Sequence, residues 1–228
     1  MYFDPMYFVF LIPPLLLALW AQMRVKSAYA KYTKLPNQRA LTGLDAARIM
    51  LPAEGLGSVG IQGTPGELTD HYDPRTRTLH LSQRVAQQAS IASLAVTAHE
   101  IGHALQDHNG YAPLKLRGAL VPAVQVSGWV APVLFVLGLL LGMSGLAWIG
   151  IALFGMAALF ALITLPVEFD ASKRGLKLLQ RYQLADGAEL KGAKSVLDAA
   201  ALTYVAALAQ TVATLLYYVM IMGRGGDD

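Results

Sequence analysis

The chain has 228 residues, of which 55% are hydrophobic and only 14% charged, with a mean hydropathy of +0.44. Soluble domains carry about a quarter charged residues, so this composition excludes an ordinary soluble protein and points to the bilayer. The net charge of +3 does not mark a nucleic-acid binder, because the basic residues flank apolar runs, and the absence of cysteine excludes disulfides and thiolate metal sites.

The first apolar run, residues 6–23, is long enough to cross about 30 Å of hydrocarbon. Pro13 and Pro14 predict a kink in it. It follows Asp4 rather than a basic cluster, and it ends in Trp20-Ala-Gln-Met without a small-residue cleavage site. It reads as a retained anchor and not a removable signal peptide. Arg24, Lys26, Lys31, Lys34 and Arg39 follow it directly.

Residues 24–119 form most of the water-exposed part. Thr42 is an N-cap, with Asp45 at the third helical position, and Pro52 is the stop signal. Residues 53–66 are glycine-rich, and Val59 and Ile61 alternate with small or polar residues, which predicts a short strand. Asp73-Pro-Arg is a turn signal. Residues 76–82 alternate in the strand manner, with Leu79 and Leu81 on one face. Residues 83–107 carry the longest helical pattern outside the spans. Its apolar stretch, 89–98, is too short to cross a membrane.

Three further apolar runs follow, at 120–142, 146–167 and 199–222. The link around Met143-Ser-Gly is short and uncharged, so the second and third runs form a hairpin. Lys173, Arg174, Lys177 and Arg181 follow the third run. The positive-inside rule puts both basic segments in the cytoplasm and both termini outside. The expected protein is therefore mainly α, an integral membrane protein with about four transmembrane helices and a small cytoplasmic α+β portion. Its segments are an anchor (1–23), a cytoplasmic region (24–119), a hairpin (120–167), cytoplasmic helices (168–198), a last span (199–222) and a tail (223–228).

The stretch "TAHEIGHALQDH", residues 97–108, carries the chemistry. Helical positions i and i+4 share a face, so His99 and His103 can both reach one ion. Glu100, one step around the helix, can reach a water on that ion. This is the HExxH pattern of zinc peptidases. Gly102 leaves room near the metal, and Ala95, Ala98 and Ala104 let other backbone approach. The plainer alternative is two polar residues on an amphipathic helix. A metzincin extension would need glycine at 106 and histidine at 109. Gln106 and Asn109 stand there, and that class is rejected. His108 reads as a solvated helix end.

Topology supplies a third ligand. The hairpin returns to the cytoplasmic face near Val167, because about 22 helical residues rise roughly 33 Å. Glu168 then emerges at the surface where the HExxH helix lies, and a carboxylate at that level needs a partner such as zinc. The alternative is an interfacial glutamate paired with Lys173 or Arg174. Asp170, elsewhere on the same helix, is the weaker ligand candidate.

The motifs "LTDHYDP" (68–74), "LHLS" (79–82), "AHEIGHALQ" (98–106), "LPVEFDAS" (165–172) and "AAALTYVAAL" (199–208) together resemble the YugP-type neutral zinc metallopeptidases of bacterial membranes. The resemblance covers nearly the whole chain. It implies a gluzincin-like centre with one zinc per chain: His99, His103 and Glu168 as ligands, and Glu100 as catalytic acid and base. The arrangement is also similar to the HtpX and CAAX-prenyl membrane proteases, which place an aspartate four residues after the ligand glutamate. Ser172 stands there in this chain, with Asp170 two residues before it.

The expected activity is hydrolysis of a protein or peptide substrate, membrane proteins included, at the cytoplasmic face of the bacterial inner membrane, with no nucleic-acid partner. The rival readings are an intramembrane protease with a bilayer-buried site and a zinc-stabilised scaffold without activity. Glu100 separates the second rival, since a structural site has no use for a carboxylate beside the ion. His71, His80, Asp170 and Ser172 are the candidates for supporting a ligand or touching substrate. His71, Tyr72 and Tyr182 are the candidates for a second oxyanion donor. The strand 78–82 is expected to accept an extended peptide by strand addition.

Overall fold

Apolar length without helix breakers decides most of the architecture. The computed structural model describes residues 5–224. In chain order its elements are α1 (Pro5–Thr33), α2 (Gly43–Ala53), β1 (Gly60–Thr64), β2 (His71–Asp73) and β3 (Thr78–Ser82). They continue with α3 (Gln83–Gln87), α4 (Ile91–His108), α5 (Ala112–Leu140), α6 (Ser144–Arg181) and α7 (Gly187–Arg224). Four helices, α1, α5, α6 and α7, are long and apolar enough to cross a membrane.

The helices run further than the apolar runs that predict them. α1 continues through Pro13 and Pro14 and ends ten residues past 23. Both prolines fall within the apolar run, and the chain stays helical on either side. α6 passes from apolar to polar sequence without a break, because "VEFDASKRGLKLLQR" contains no proline and no capping signal. α7 likewise begins well before 199. Residues 168–198 are thus two helix extensions joined by a turn, not separate helices.

The chain divides into two compact units. Of the described residues, the first comprises 5–21, 115–166 and 203–224. Its α5–α6 hairpin is closely packed: a Cβ on Gly138 would stand 2.4 Å from the Ala147 nitrogen, and one on Gly150 would stand 2.7 Å from the Phe135 nitrogen. Phe135 also stacks on Tyr218, with ring centroids 4.1 Å apart. Trp129 and Leu140 remain 84% and 76% exposed. Large apolar side chains so exposed on a helical surface suit a lipid-facing bundle, in which every backbone polar group is satisfied within its own helix.

The second unit comprises 22–114 and 167–202. Thr42 and Asp45 form a complete capping box at the start of α2, and Pro52 sits in its last turn. The long helical pattern at 83–107 is split. Ser90 caps α4 by accepting the Ser93 N–H at 3.1 Å, and the Ile91 N–H goes to the Leu35 carbonyl, so the chain turns between α3 and α4. The sheet has the order β1–β3–β2, with β1 parallel and β2 antiparallel to β3. Leu79 and Leu81 point into the core beside Leu94, Ala98 and Ile101, as their alternation predicts.

β2 carries no alternating apolar pattern and is held from outside. The half-buried Asp70 carboxylate accepts the Ser82 N–H at 2.6 Å and its hydroxyl at 3.0 Å, tying the entry of β2 to the end of β3. Burial pushes the Asp70 carboxyl above its usual range, against the pull of those two hydrogen bonds. Because β3 lies between two partners, it has no open edge to offer a peptide. The expected strand addition at 78–82 is therefore overturned.

Candidate metal centre

Two glycines bring the site together. A Cβ on Gly102 of α4 would stand 2.3 Å from the Ala171 carbonyl oxygen of α6, and one on Gly175 of α6 would stand 2.8 Å from the Ala98 carbonyl. The two helix backbones are in direct contact at this crossing. The space that Gly102 leaves is filled by α6, not by a metal ligand. The buried Ala98 and Ala104 allow the same approach.

At that crossing the side chains of His99, His103 and Glu168 converge. Glu168 Oε2 lies 3.3 Å from His99 Nε2 and 3.5 Å from His103 Nε2. One ligand atom from each residue lies within 4.8 Å of the others. The glutamate is 2% exposed. Two imidazole nitrogens and a carboxylate oxygen so placed could hold one metal ion, and they are donors of the kinds that zinc takes.

The hydrogen bonds behind the histidines orient them for that role. His103 Nδ1 donates to Gln106 Oε1 at 2.9 Å. The amide orientation is fixed, because Gln106 Nε2 donates to two groups that only accept: the Val167 carbonyl at 2.8 Å and Asp170 Oδ2 at 2.9 Å. His103 therefore keeps its proton on Nδ1 and directs the Nε2 lone pair at the cluster. His99 Nδ1 shares a hydrogen bond with Ser172 Oγ at 3.1 Å. Ser172 thus stands directly behind the His99 imidazole. Asp170 serves the other histidine through Gln106 and also accepts from Arg174 Nε. The guanidinium of Arg174 lies over the Tyr111 ring at 5.7 Å.

Gln106→Leu is expected to lower metal affinity by about 10–100-fold while leaving all three donor residues in place. Competition with a chromogenic chelator measures it. Unchanged affinity would show that the amide does not orient His103.

Glu100 is buried on the same helix, and its Oε2 accepts the backbone N–H of Tyr72 at 3.0 Å. Burial pushes its carboxyl above the ordinary range, while His99 and His103 act in the opposite direction. Tyr72 belongs to β2, an edge strand of the sheet. Its ring hydroxyl donates to Asp107 at 2.9 Å, which ties β2 to the far end of α4.

The other sequence candidates lie elsewhere. His71 and His80 stack across β2 and β3, with centroids 4.5 Å apart, and His71 Nδ1 bonds to the Thr69 carbonyl. They form a pair of their own outside the His99–His103–Glu168 cluster. Tyr182 donates to Glu54, to which Arg181 also donates. His108 is exposed at the end of α4. Under the alternative of an interfacial Glu168 beside Lys173 or Arg174, Arg174 would be a partner, but it pairs with Asp170.

Two participants escape the sequence. Gln106 signals itself only by standing three residues after His103, on the same helix face. The Tyr72 amide is backbone and gives no residue signal at all.

Fold and site together define a multi-pass membrane protein with a helix-borne HExxH and a glutamate supplied by a second helix. The chain belongs to the family described as "Putative neutral zinc metallopeptidase", whose model matches residues 7–223. It is 44% identical over 224 residues to the "Putative membrane protease YugP" of Bacillus subtilis (strain 168), across 98% of this chain and 100% of that relative. No solved structure matches it.

Proposed function

We propose that this chain is a zinc-dependent membrane endopeptidase whose site opens to water at the cytoplasmic face. The observation that carries the reading is the Glu100 carboxylate, held by the Tyr72 amide beside the His99–His103–Glu168 cluster. His99, His103 and Glu168 would hold one ion per chain. Zinc supplies a Lewis acid that activates a water and polarises a peptide carbonyl.

The chain's own residues do the rest. Glu100 takes the proton of the attacking water and returns it to the leaving amine. The Tyr72 N–H keeps the carboxylate aimed while it cycles between its two protonation states. Gln106 and Ser172 hold the imidazoles. An extended substrate would have to add at an outer strand of the sheet, β1 or β2, and not at the central β3.

Two observations weigh against the rivals. All four site residues lie in the unit formed by 22–114 and 167–202, which contains the sheet and the polar helices, and this favours a water-accessible site over a bilayer-buried one. Glu100 favours an enzyme over a scaffold. The basic residues after the first and third apolar runs support cytoplasmic orientation, with both termini outside. Protein or peptide substrates, membrane proteins included, are the proposed partners, with no role for nucleic acid.

Purified full-length protein loaded with zinc is expected to cleave an unstructured protein. Chelation should abolish cleavage and zinc should restore it. Cleavage that persists after the metal is stripped would sink the reading.

A further inference from the structure

Away from the metal cluster, the second unit carries a groove of about 520 Å³ between the C-terminal part of α6 and the N-terminal part of α7. Its floor is apolar: Phe169, Leu176, Leu190, Leu197 and Ala201. Its rim is cationic, with Lys173 and Lys177 on one helix and Lys191 and Lys194 on the other. The spacings i, i+4 and i, i+3 set each lysine pair on a single helix face.

The one acidic side chain lining the groove, Asp198, is engaged by Lys194. Lys191 and Lys194 also line an adjoining depression of about 240 Å³, together with Arg24. Four lysines therefore line the apolar floor. Lys194 is paired with Asp198; Lys173, Lys177 and Lys191 are not its partners, and Arg24 stands at the adjoining depression.

This combination selects an amphiphilic anion. A free phosphate or a nucleic acid would satisfy the lysines and leave the floor in water. An acidic peptide would do the same along most of its length. Phe169 lies two residues beyond the apolar run that ends at 167, and Ala201 lies inside the run that begins at 199. The floor thus starts at the level where these helices leave hydrocarbon. We propose that the α6–α7 groove binds an anionic phospholipid, with its chain on the apolar floor and its headgroup phosphate among the lysines. Basic pockets at the ends of membrane helices recognise such headgroups. Ser172 lines the groove and also holds His99 Nδ1, so the bound lipid lies against the residue that supports one imidazole of the metal centre. The proposal does not depend on the peptidase reading, because its test reads lipid binding alone.

The test uses full-length protein in neutral detergent, titrated with phosphatidylglycerol or with phosphatidylcholine of the same chains and read by native mass spectrometry. Phosphatidylglycerol is expected to bind on the order of tenfold tighter. The variant Lys173→Gln/Lys177→Gln/Lys191→Gln changes only exposed side chains, and it should bring the two lipids within about twofold. Lys115→Gln/Arg117→Gln, on α5, should keep the preference. Retention of the full preference by the triple variant would overturn the proposal. So would displacement of the lipid by inorganic phosphate or by an acidic peptide at comparable concentration.

Discussion

Glu100→Gln is expected to keep the metal and lose the reaction. The substitution preserves size and leaves an amide oxygen to accept the Tyr72 N–H, so the packing of β2 against α4 is undisturbed. His99, His103 and Glu168 keep their mutual positions and their partners, Ser172 and Gln106. What disappears is a group able to take and return a proton. Proton transfer by a placed side chain contributes about 10²–10⁴-fold, and the rate of cleavage of an unstructured protein should fall by that much. Zinc per chain, measured by elemental analysis, should match wild type. Equal cleavage by both proteins would remove Glu100 from the mechanism. Loss of zinc from the variant would make it a structural residue and would favour the scaffold reading.

The sequence exposes some parts of this arrangement and hides others, for physical reasons. Apolar length is a local property, and the four spans are visible without the fold. Their ends are not, because a helix that leaves hydrocarbon without a proline or a cap simply continues, as α6 does to Arg181. The alternation of Leu79 and Leu81 gives β3 and its buried face. It says nothing of how many neighbours β3 has, and for that reason the strand addition expected there fails. β2 is short and lacks apolar alternation; besides its pairing with β3, it is held from outside by Asp70, Glu100 and Asp107. At the metal cluster, His99, Glu100 and His103 follow from helical spacing. Glu168 follows from the return of a hairpin to one surface. Of the partners behind the histidines, Ser172 depends on how α4 and α6 cross. Gln106 stands three residues after His103 on α4, and only its acceptors, the Val167 carbonyl and Asp170, come from α6. The spacing suggests that Gly102 leaves room for a metal, but it and Gly175 instead admit the opposing backbones.

Glu168→Ala is expected to give the largest loss of zinc of any single substitution in α6. The carboxylate is the component of the cluster contributed by α6, and its Oε2 stands between the two Nε2 atoms. Removing it leaves two imidazoles, a set short of the three protein donors that a catalytic zinc centre uses. The loss should exceed the roughly 10–100-fold expected when a residue that only orients a donor is removed. Asp170→Asn supplies that comparison, because Asp170 reaches the cluster only through the Gln106 amide and should weaken zinc within the smaller range. The two variants differ by two helix positions and by opposite predictions about which is severe. Zinc dissociation constants from chelator competition rank them directly. If Glu168→Ala holds zinc as wild type does while Asp170→Asn releases it, the third donor is Asp170 and the convergence at Glu168 is only an ion pair with the histidines. The reverse ranking ties the metal to the α4–α6 crossing, where both glycines hold the helices in contact.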